Sequence, residues 1–331
     1  MKIAIYIEYR NWLNNQMFEL DSECNINNVL DRYVALKRYL DEKNIKINTY
    51  DIYKNIKEVD LWLIIDPKPK MLYFFLKSKI NPKKIVPILH EPSVINPWAW
   101  QYLRYYSWIF PALLTWNSEL CSKNKKYFHY HFPLKIDLEK YNYYKSKNKK
   151  NLLLMMHSNK HYPRRGELYS LRKKIIKYYE ERGDGLLDLY GKGWNNPKSS
   201  NPFYTTLYRG TTDDKWETYS EYYFTFCIDN SIVPGYITYD PLISMATGTV
   251  PIYQPMPDST KYIPENTFID FSKFKNLREL TEYLQSIVGT PAYEEYRTNG
   301  WNFINSEKYY PFTMKKFCED IYEAINFVIK K

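Results

Sequence analysis

The chain has 331 residues, a length at which two domains are expected. Hydrophobic residues make up 44% of it, enough for two cores, but no run approaches the roughly 18 uninterrupted apolar residues that indicate a membrane span. The formal net charge of +10 favours anionic partners, and a phosphate-bearing ligand, a nucleic acid or an anionic membrane surface would each qualify.

The N-terminal half of the sequence alternates between strand and helix patterns. Short apolar runs predict strands, and apolar positions three and four residues apart predict helices. The strands are predicted over 2–9, 46–53, 59–66, 84–92, 112–116 and 128–134, and the helices over 27–44, 69–79, 99–109 and 117–124. The polar and charged segment 137–150 is predicted to be a linker.

The C-terminal half repeats this alternation. Strands are predicted over 151–158, 186–190, 223–230 and 249–254, and helices over 166–182, 213–222, 239–248, 276–288 and 312–331. Alternation of this kind predicts parallel sheets with helices on both faces. The sequence therefore indicates two doubly wound, Rossmann-like α/β domains that face a central cleft.

The expected domains are 1–145 on the acceptor side and 150–311 on the donor side, with a last helix, 312–331, that packs back toward the first domain. Ligands of such sheets bind beyond the carboxyl ends of the strands. Four predicted strand ends carry polar residues, namely Glu91, 157–160, 190–194 and 229–239.

The N-terminal segment and the cysteines indicate the cellular compartment of the protein. The opening segment "MKIAIYIEYRNW" has too short an apolar part for a signal peptide. The four cysteines show no C-x-x-C spacing, which favours buried, reduced thiols. We therefore expect a cytoplasmic protein without a membrane span.

The stretch "DNSIVPGYITYDPLISMATGTVPIY" (229–253) follows a predicted strand and contains no phosphate-type glycine motif. Asn230 and Ser231 end the strand, and Tyr236 shapes the loop. Thr238 is expected to cap a helix that begins at Tyr239, whose N-terminal N–H groups suit an anion. The alternative is an ordinary strand-to-helix loop with a threonine cap.

A second polar segment, "HSNKHYPRRGELYSL", joins a predicted strand to a helix. It holds Asn159, Lys160, Arg164 and Arg165. A guanidinium group just before a helix adds to the positive end of the helix dipole and suits a diphosphate. A solvated basic turn is the equally simple alternative.

The turn "YGKGW" (190–194) is a third candidate at a strand end. Glycines on both sides of Lys192 allow a close approach of the backbone to a ligand. Tyr190 ends the preceding strand. Such turns are common, so this signal is weak by itself.

In the first half, "HEPS" places Glu91 at a strand end. A carboxylate there can act as a general base if an acceptor hydroxyl comes within hydrogen-bond reach. His90 is a competing base and Asp66 is a third. The alternative is that Glu91 pairs with a surface lysine or arginine.

The sequence lacks the usual metal and nucleotide motifs. No H-x-x-H or H-E-x-x-H spacing occurs, and His129 and His131 alternate on a strand without a third ligand. We expect no metal and no cofactor. The absence of G-x-x-x-x-G-K-[ST], G-x-G-x-x-G and G-x-S-x-G argues against P-loop ATPases, dinucleotide dehydrogenases and serine hydrolases.

The order of residues in the second half resembles glycosyltransferase family 10, the α-1,3/α-1,4-fucosyltransferases, over about residues 150–310. Its pattern is an apolar strand, E-N-S, a short loop, G/D-Y-[VI]-T-E-K, a helix and G-x-[VI]-P-[VI]. Asp229 stands for the glutamate of E-N-S. The residues that match in register are Asn230, Ser231, Tyr236, Ile237, Thr238, Val250, Pro251 and Ile252.

Other segments extend the resemblance. "SNKHYPRRGELYSL" is similar to the S-N-x-x-x-x-x-R segment, which places Arg165 on the donor-phosphate arginine. "DLYGKGW" resembles V-D-x-Y-G, and "LHEPSVINP" weakly echoes the segment whose glutamate is the catalytic base, here Glu91. The donor-site residues implied are Asn159, Arg165, Tyr190, Lys192, Asp229, Asn230, Ser231, Tyr236, Thr238, Tyr239 and Asp240.

The resemblance implies a GT-B fold and metal-independent, inverting transfer of fucose from GDP-fucose to a glycan hydroxyl. One departure stands out, because T-E-K is T-Y-D here, with Asp240 in place of the lysine that would hold the phosphates. A carboxylate 4 Å from a phosphate would repel it by about 1–4 kcal/mol. Either Asp240 turns away, for example to a ribose hydroxyl, or Lys160, Lys192 or Arg164 supplies the missing positive charge.

Three alternatives stay open. A GT-B transferase that uses another nucleotide sugar differs only in its donor. A catalytically inactive sugar-nucleotide-binding member is favoured by the T-Y-D departure. A nucleic-acid binder agrees with the net charge, but no basic helix or aromatic sheet motif supports it.

Overall fold

The computed structural model describes residues 1–330, apart from the side chain of Asn27, and they form two compact units. The first unit comprises Met1–Lys135 together with the C-terminal segment from Pro311, and the second comprises Ile136–Tyr310. Each is an α/β unit built around a parallel sheet. The alternation of strands and helices expected from the sequence is therefore present in both.

The described part of the first unit contains a sheet of six parallel strands in the order β2-β1-β3-β4-β5-β6. The strands are β1 (Lys2–Tyr6), β2 (Lys46–Thr49), β3 (Leu61–Ile65), β4 (Ile85–Leu89), β5 (Leu113–Thr115) and β6 (Tyr127–His129). The helices are α1 (Asp31–Asp41), α2 (Pro69–Lys77), α3 (Pro97–Gln101), α4 (Leu103–Ile109) and α5 (Ser118–Lys123). Strands β3 and β4 are buried along their whole length, as expected where helices cover both faces of a sheet.

The second unit contains a sheet of five parallel strands in its described part, in the order β8-β7-β9-β10-β11. The strands are β7 (Asn151–Met156), β8 (Leu187–Tyr190), β9 (Tyr222–Cys227), β10 (Val250–Tyr253) and β11 (Ile269–Asp270). The helices are α6 (Tyr141–Lys145), α7 (Tyr169–Arg182), α8 (Lys215–Ser220), α9 (Asp240–Ala246), α10 (Leu277–Ile287) and α11 (Pro291–Ile304).

The chain ends with a helix that belongs to the first unit. This helix, α12 (Met314–Ile329), carries Tyr322, whose ring packs edge-on against Tyr39 of α1 at 5.8 Å between centroids. A second ring contact joins Phe327 to Phe128 of β6 at 5.3 Å. Lys331, which the sequence-based prediction included in this helix, lies outside the described residues.

The unit boundary differs from the predicted one at residues 136–145, which lie in the second unit. Part of the segment predicted to be a linker forms α6, and the ring of Tyr141 stacks on that of Trp301 in α11 at 3.7 Å. Two of the three tyrosines of this charged segment, Tyr141 and Tyr144, are thus buried.

Several local predictions were also wrong. The strands expected to reach residues 9, 53 and 134 end at Tyr6, Thr49 and His129, and the single helix expected over 99–109 is divided into α3 and α4. Strand β11 and helix α11 were not predicted. Among the described residues, no helix has the length and apolar character needed to cross a bilayer.

Gly191 permits a close approach between two loops at the carboxyl edge of the second sheet. Its φ is +136°, a value that L side chains rarely adopt, and a Cβ atom would lie 2.2 Å from the carbonyl oxygen of His157. The turns after β7 and β8 can touch only because residue 191 has no side chain.

Gly191→Ala should therefore lower the free energy of unfolding by about 3 kcal/mol, since backbone strain and a backbone clash combine. Urea denaturation measures the loss. Gly210→Ala is the matched control, because Gly210 has a φ of +99° and no atom within 4 Å of the added Cβ. Its cost should be limited to the strain of about 1–2 kcal/mol, and equal losses for both variants would contradict this account.

Candidate functional site

The polar residues of the second unit converge at the carboxyl edge of its sheet. Strand β7 lies between β8 and β9, so the strand order reverses at this point. Such a switch point is where ligands bind in open parallel sheets. His157 follows β7, and Asp229, Asn230 and Ser231 follow the adjacent strand β9.

Asp229 is a buried acid with one oxygen still available. Its Oδ1 accepts a hydrogen bond from the hydroxyl of Thr238, and its Oδ2 is buried without a hydrogen-bond partner among residues 1–330. Burial raises the pKa of Asp229 to about 7, the hydrogen bonds from Thr238 oppose the rise, and the charge of Asp240 adds to it. Asp229 thus has one carboxylate oxygen, Oδ2, that accepts no hydrogen bond from a described residue. Its raised pKa also makes it easier to protonate than an ordinary aspartate.

The predicted capping role of Thr238 was wrong. Helix α9 begins at Asp240, and its N-cap residue, Tyr239, makes no side-chain capping hydrogen bond. The hydroxyl of Thr238 is used by Asp229 instead. Thr238 therefore closes the loop onto the end of β9.

A buried arginine clamps the start of the same loop. Arg172 of α7 donates from Nε and Nη2 to the carbonyl oxygen of Ile228, at 2.9 and 2.5 Å, and from Nη2 to Oδ1 of Asn230 at 3.2 Å. Asn230 in turn donates from Nδ2 to the hydroxyl of Tyr236 at 3.1 Å. This chain of hydrogen bonds fixes the side chains of Asn230 and Tyr236, two of the predicted donor-site residues.

Asp240, the residue that departs from the family pattern, is paired within the second unit. Its Oδ1 accepts hydrogen bonds from Nζ of Lys215 at 2.6 Å and from the hydroxyl of Tyr219 at 3.1 Å. Oδ2 lies 3.7 Å from Nδ1 of His157. Only 13% of the Asp240 side chain and 19% of the Lys215 side chain are exposed, so the pair is mostly shielded from water.

The electrostatics of this cluster favour a charged Asp240 and a neutral His157. Burial by itself would raise the pKa of Asp240, but Lys215, His157 and Tyr219 outweigh it and hold the pKa at about 2. Burial, together with the charge of Arg172, lowers the pKa of His157 to about 3. Lys215 is thus the cation that balances Asp240, and it was not among the three candidates named from the sequence.

Arg165 lies beside the candidate loop. The N–H of Leu168 donates to the carbonyl of Asn230 at 3.0 Å, and the N–H of Ile232 donates to the carbonyl of Gly166 at 3.2 Å. Arg165 immediately precedes this pairing, and its side chain is exposed, as are those of Lys160 and Arg164.

The turn after β8 is joined to the same edge through Asn159. Its backbone N–H donates to the carbonyl of Lys192 at 2.8 Å, and its Nδ2 donates to the carbonyls of Gly193 at 3.1 Å and Asn201 at 2.9 Å. Asn159 therefore positions the turn. The Lys192 side chain is exposed, and Tyr190 is half-buried at the end of β8.

In the first unit, Glu91 follows β4 and its backbone is held on both sides. Oδ1 of Asp66 accepts the backbone N–H groups of His90 and Glu91, each at 2.9 Å, and Nε1 of Trp100 donates to the carbonyl of Glu91 at 2.8 Å. The Glu91 side chain is half-buried. These contacts fix the position from which its carboxylate projects.

His90, the competing base, has both ring nitrogens in use. Nε2 contacts the hydroxyl of Tyr33 at 2.7 Å, and Nδ1 contacts the hydroxyl of Tyr130 at 2.5 Å. Burial lowers the pKa of His90 well below its usual value. His90 is thus a packed structural residue and the poorer of the two candidates for a base. Asp66 is half-buried, its desolvation raises its pKa to about 7, and its carboxylate accepts the backbone N–H groups at the end of β4.

Sequence reasoning missed Arg172 and Lys215. Arg172 carried a signal, because it lies on the apolar stripe of α7 with Tyr169, Ile175, Ile176 and Tyr179. An arginine at such a position must find buried partners. Lys215 carried no comparable signal, since its partner is 25 residues away on another helix.

Among residues 1–330, no three His, Cys, Asp or Glu side chains form a group that could hold a metal ion. Metal independence stays a prediction.

Comparison with known proteins places these residues in a family context. The model for glycosyltransferase family 10 (fucosyltransferase), C-terminal part, matches residues 144–324, more than half of the chain. An α-(1,4)-fucosyltransferase of Arabidopsis thaliana is 26% identical over 163 residues. That alignment covers 43% of this chain and 41% of the relative, so it spans less than half of the relative's length.

Solved structures agree on the fold. An α1,3-fucosyltransferase aligns with a TM-score of 0.56 at 16% identity, covering 98% of this chain and 90% of its own. An α1,3-fucosyltransferase structure with GDP-fucose aligns with a TM-score of 0.53 at 14% identity, and the alignment again covers 98% of this chain and 90% of that one. These findings confirm the resemblance seen in the sequence and the GT-B-like fold class.

The Lys215–Asp240 pair leads to a stability prediction. Lys215→Met should lower the free energy of unfolding by about 3–5 kcal/mol, because it leaves a buried carboxylate without its cation. The double variant Lys215→Met/Asp240→Asn should recover at least about 1 kcal/mol of that loss. Urea denaturation at pH 7 measures both.

Lys177→Met is the control for that experiment. Lys177 forms an ion pair with Glu181 in which the side chains are 72% and 66% exposed, so its loss should change stability by less than about 0.5 kcal/mol. A Lys215→Met variant that behaves like this control would show that the Asp240 pair is not buried in solution.

Asp229 predicts a pH dependence. Its pKa is about 7 in the folded state against an ordinary value of 3.8 for aspartate, so the folded state binds more protons between these values and its stability falls as pH rises. Asp229→Asn removes this loss. Its stability relative to the wild type should grow between pH 4 and pH 8, by at most about 4 kcal/mol.

Urea denaturation across this pH range checks the prediction. Asp66 and Asp320 also have raised pKa values, but both proteins contain them, so they cancel in the comparison. Parallel stability profiles for the two proteins would contradict the assignment.

Proposed function

The chain belongs to glycosyltransferase family 10, and we propose that it transfers fucose from GDP-fucose to a hydroxyl group of a glycan acceptor, with inversion at the anomeric carbon. The observation that carries the proposal is the ordered loop after β9. Arg172, Asn230 and Tyr236 hold it, and it lies within residues 144–324, the part that matches the family.

The loop offers hydrogen-bonding groups for the donor. Oδ2 of Asp229 and Oγ of Ser231 are both buried and have no hydrogen-bond partner among the described residues. A carboxylate oxygen accepts hydrogen bonds from hydroxyl groups, and a serine hydroxyl both donates and accepts. Two unsatisfied buried groups on one loop suit the hydroxyls of a sugar nucleotide.

Positive charge for the diphosphate comes from the edge of the sheet. Arg165, Lys160 and Lys192 are exposed at turns that connect to the carboxyl ends of the strands. Because Lys215 already neutralises Asp240, the departure from T-E-K adds little net negative charge to the site. The exposed cations then stabilise the negative charge that develops on the leaving GDP.

Glu91 is the proposed general base. Its carboxylate takes the proton of the acceptor hydroxyl, whose oxygen attacks the anomeric carbon of fucose as the bond to the GDP oxygen breaks. Attack opposite the leaving group inverts the configuration at that carbon. We propose that the transfer requires no metal ion, so EDTA should not change the rate.

Two narrower alternatives follow from Tyr239 and Asp240, which replace the E and K of the family pattern T-E-K. A donor other than GDP-fucose would still use the loop after β9. A member of the family that binds a sugar nucleotide without turnover would also keep the clamp formed by Arg172. We favour the active enzyme because Asp240 is neutralised by Lys215.

We also propose a cytoplasmic location. The structure contains Cys24, Cys121, Cys227 and Cys318 as free thiols, and the last two of these are buried. Unpaired cysteines are typical of a reducing compartment.

The protein is incubated with GDP-, UDP-, ADP- and CMP-linked sugars and a panel of glycans, and nucleotide release and product formation are followed. We expect GDP release and transfer with GDP-fucose, and a β-linked GDP-fucose donor should give an α-linked product. Turnover with another nucleotide sugar would replace the donor assignment. Binding of GDP-fucose without any transfer would favour the inactive member.

Glu91→Gln separates the role of the base from donor binding. We expect kcat to fall by about 10²–10⁴-fold, while the affinity for GDP measured by calorimetry is unchanged. Glu119→Gln is the control, since Glu119 is an exposed residue of α5. A Glu91→Gln variant with the wild-type rate would remove Glu91 from the mechanism.

A further inference from the structure

The first unit exposes large apolar side chains on two neighbouring helices. Tyr73 and Leu76 of α2 are 66% and 75% exposed, and Trp108 of α4 is 88% exposed. Tyr105 and Ile109 of α4 are also exposed. We refer to these five residues as the α2–α4 face.

The two halves of this face are continuous. A groove of about 270 Å³ runs between α2 and the α3–α4 segment. Leu76, Tyr105 and Ile109 line it together with Ile80, Trp98 and Tyr102. The helices are fixed beneath the face by Phe75 and Tyr106, which are buried in one core cluster. Leu76, Tyr105 and Ile109 thus belong to one apolar groove on a rigid support, and Tyr73 and Trp108 are exposed on the same two helices. Exposed apolar patches of this kind mark interaction sites.

The segment that carries this face is strongly basic. Residues 67–110 contain seven lysines and arginines and one acid, Glu91. Lys68 is paired with Glu8 at 2.7 Å. The other six are all exposed, namely Lys70, Lys77, Lys79, Lys83, Lys84 and Arg104. None of these six forms an ion pair with another residue in the part of the chain that the structure describes.

We propose that the α2–α4 face docks on an anionic lipid bilayer. Trp108 and Leu76 enter the boundary between headgroups and acyl chains, and the surrounding lysines contact lipid phosphates. Exposed aromatic and aliphatic side chains with cations around them are the combination that interfacial binding requires. Burial of the apolar patch and neutralisation of the unpaired cations then occur together.

The charge pattern disfavours a second copy of the chain as the occupant. In a symmetric dimer the same patch faces itself, so the six unpaired cations of each copy would be brought together. Like charges across an interface oppose association. An anionic bilayer satisfies these cations.

The proposed docking face lies close to Glu91, the candidate base, along the chain. Trp100 of α3, the helix that precedes α4, donates from Nε1 to the carbonyl of Glu91 at 2.8 Å. Only the short helix α3 and the residues before it separate Glu91 in the chain from α4, where the bilayer would bind. The inference itself does not require transferase activity.

Co-sedimentation with vesicles tests the proposal. The wild-type chain should bind vesicles of phosphatidylglycerol and phosphatidylcholine, should release them at high salt, and should bind pure phosphatidylcholine at least about tenfold more weakly. Leu76→Glu/Trp108→Glu should reduce binding by at least about tenfold. Tyr204→Glu/Leu138→Glu is the matched control, because both residues are exposed in the second unit, and it should bind like the wild type.

The lysines are tested separately. Lys83→Glu/Lys84→Glu should weaken binding to the anionic vesicles by at least about tenfold. Lys174→Glu/Lys198→Glu changes the net charge by the same amount at exposed positions of the second unit and should weaken it much less. Equal effects of the two pairs would show that only overall charge matters and would overturn the docking face.

Trp108→Phe guards against misfolding as an explanation, because it keeps a large apolar side chain. Vesicles with brominated acyl chains should quench part of the wild-type tryptophan fluorescence, and this part should be smaller in Trp108→Phe, in which Trp98 still lines the groove. Quenching that Trp108→Phe does not change, or absence of vesicle binding by the wild type, would overturn the proposal. A lipid-free dimer that Leu76→Glu/Trp108→Glu dissociates would assign the face to a second copy instead.

Discussion

The ion pair between Lys215 and Asp240 is the interaction on which the candidate donor site depends. An aspartate at the start of α9 would repel a diphosphate if it were unpaired. The 2.6 Å contact with Nζ of Lys215 and the hydrogen bond from Tyr219 fix its carboxylate within the fold. The position that most weakens the family assignment in the sequence is thus neutralised by a residue from a neighbouring helix.

The same region shows how buried polar groups build a loop. Arg172 satisfies the carbonyl of Ile228 and the side chain of Asn230, and Thr238 satisfies one oxygen of Asp229. Buried polar groups are costly unless they are hydrogen-bonded. Within the loop at 229–240, two buried side-chain atoms have no hydrogen-bond partner in the described part of the chain, namely Oδ2 of Asp229 and Oγ of Ser231, and both can gain one from a ligand.

Much of the fold follows from local sequence patterns, because buried parallel strands such as β3 are short continuous apolar runs. Helix α11 was missed because its sequence is polar and contains Gly300, an unfavourable residue inside a helix. Gly300 is explained only by packing, since a Cβ there would lie 3.0 Å from Cγ of Met245 in α9. The family motif located the loop at 229–240, whereas the partner of Asp240 depends on how α8 packs beside α9.

A crystal structure of the protein with GDP tests the role of the Lys215–Asp240 pair. We expect the diphosphate at the carboxyl edge of the second sheet, near Arg165, with Nζ of Lys215 still within hydrogen-bond distance of Asp240. The Asp240 carboxylate should contact no phosphate oxygen. A Lys215 side chain that leaves Asp240 to bind the phosphates, or GDP bound away from the loop after β9, would contradict this role.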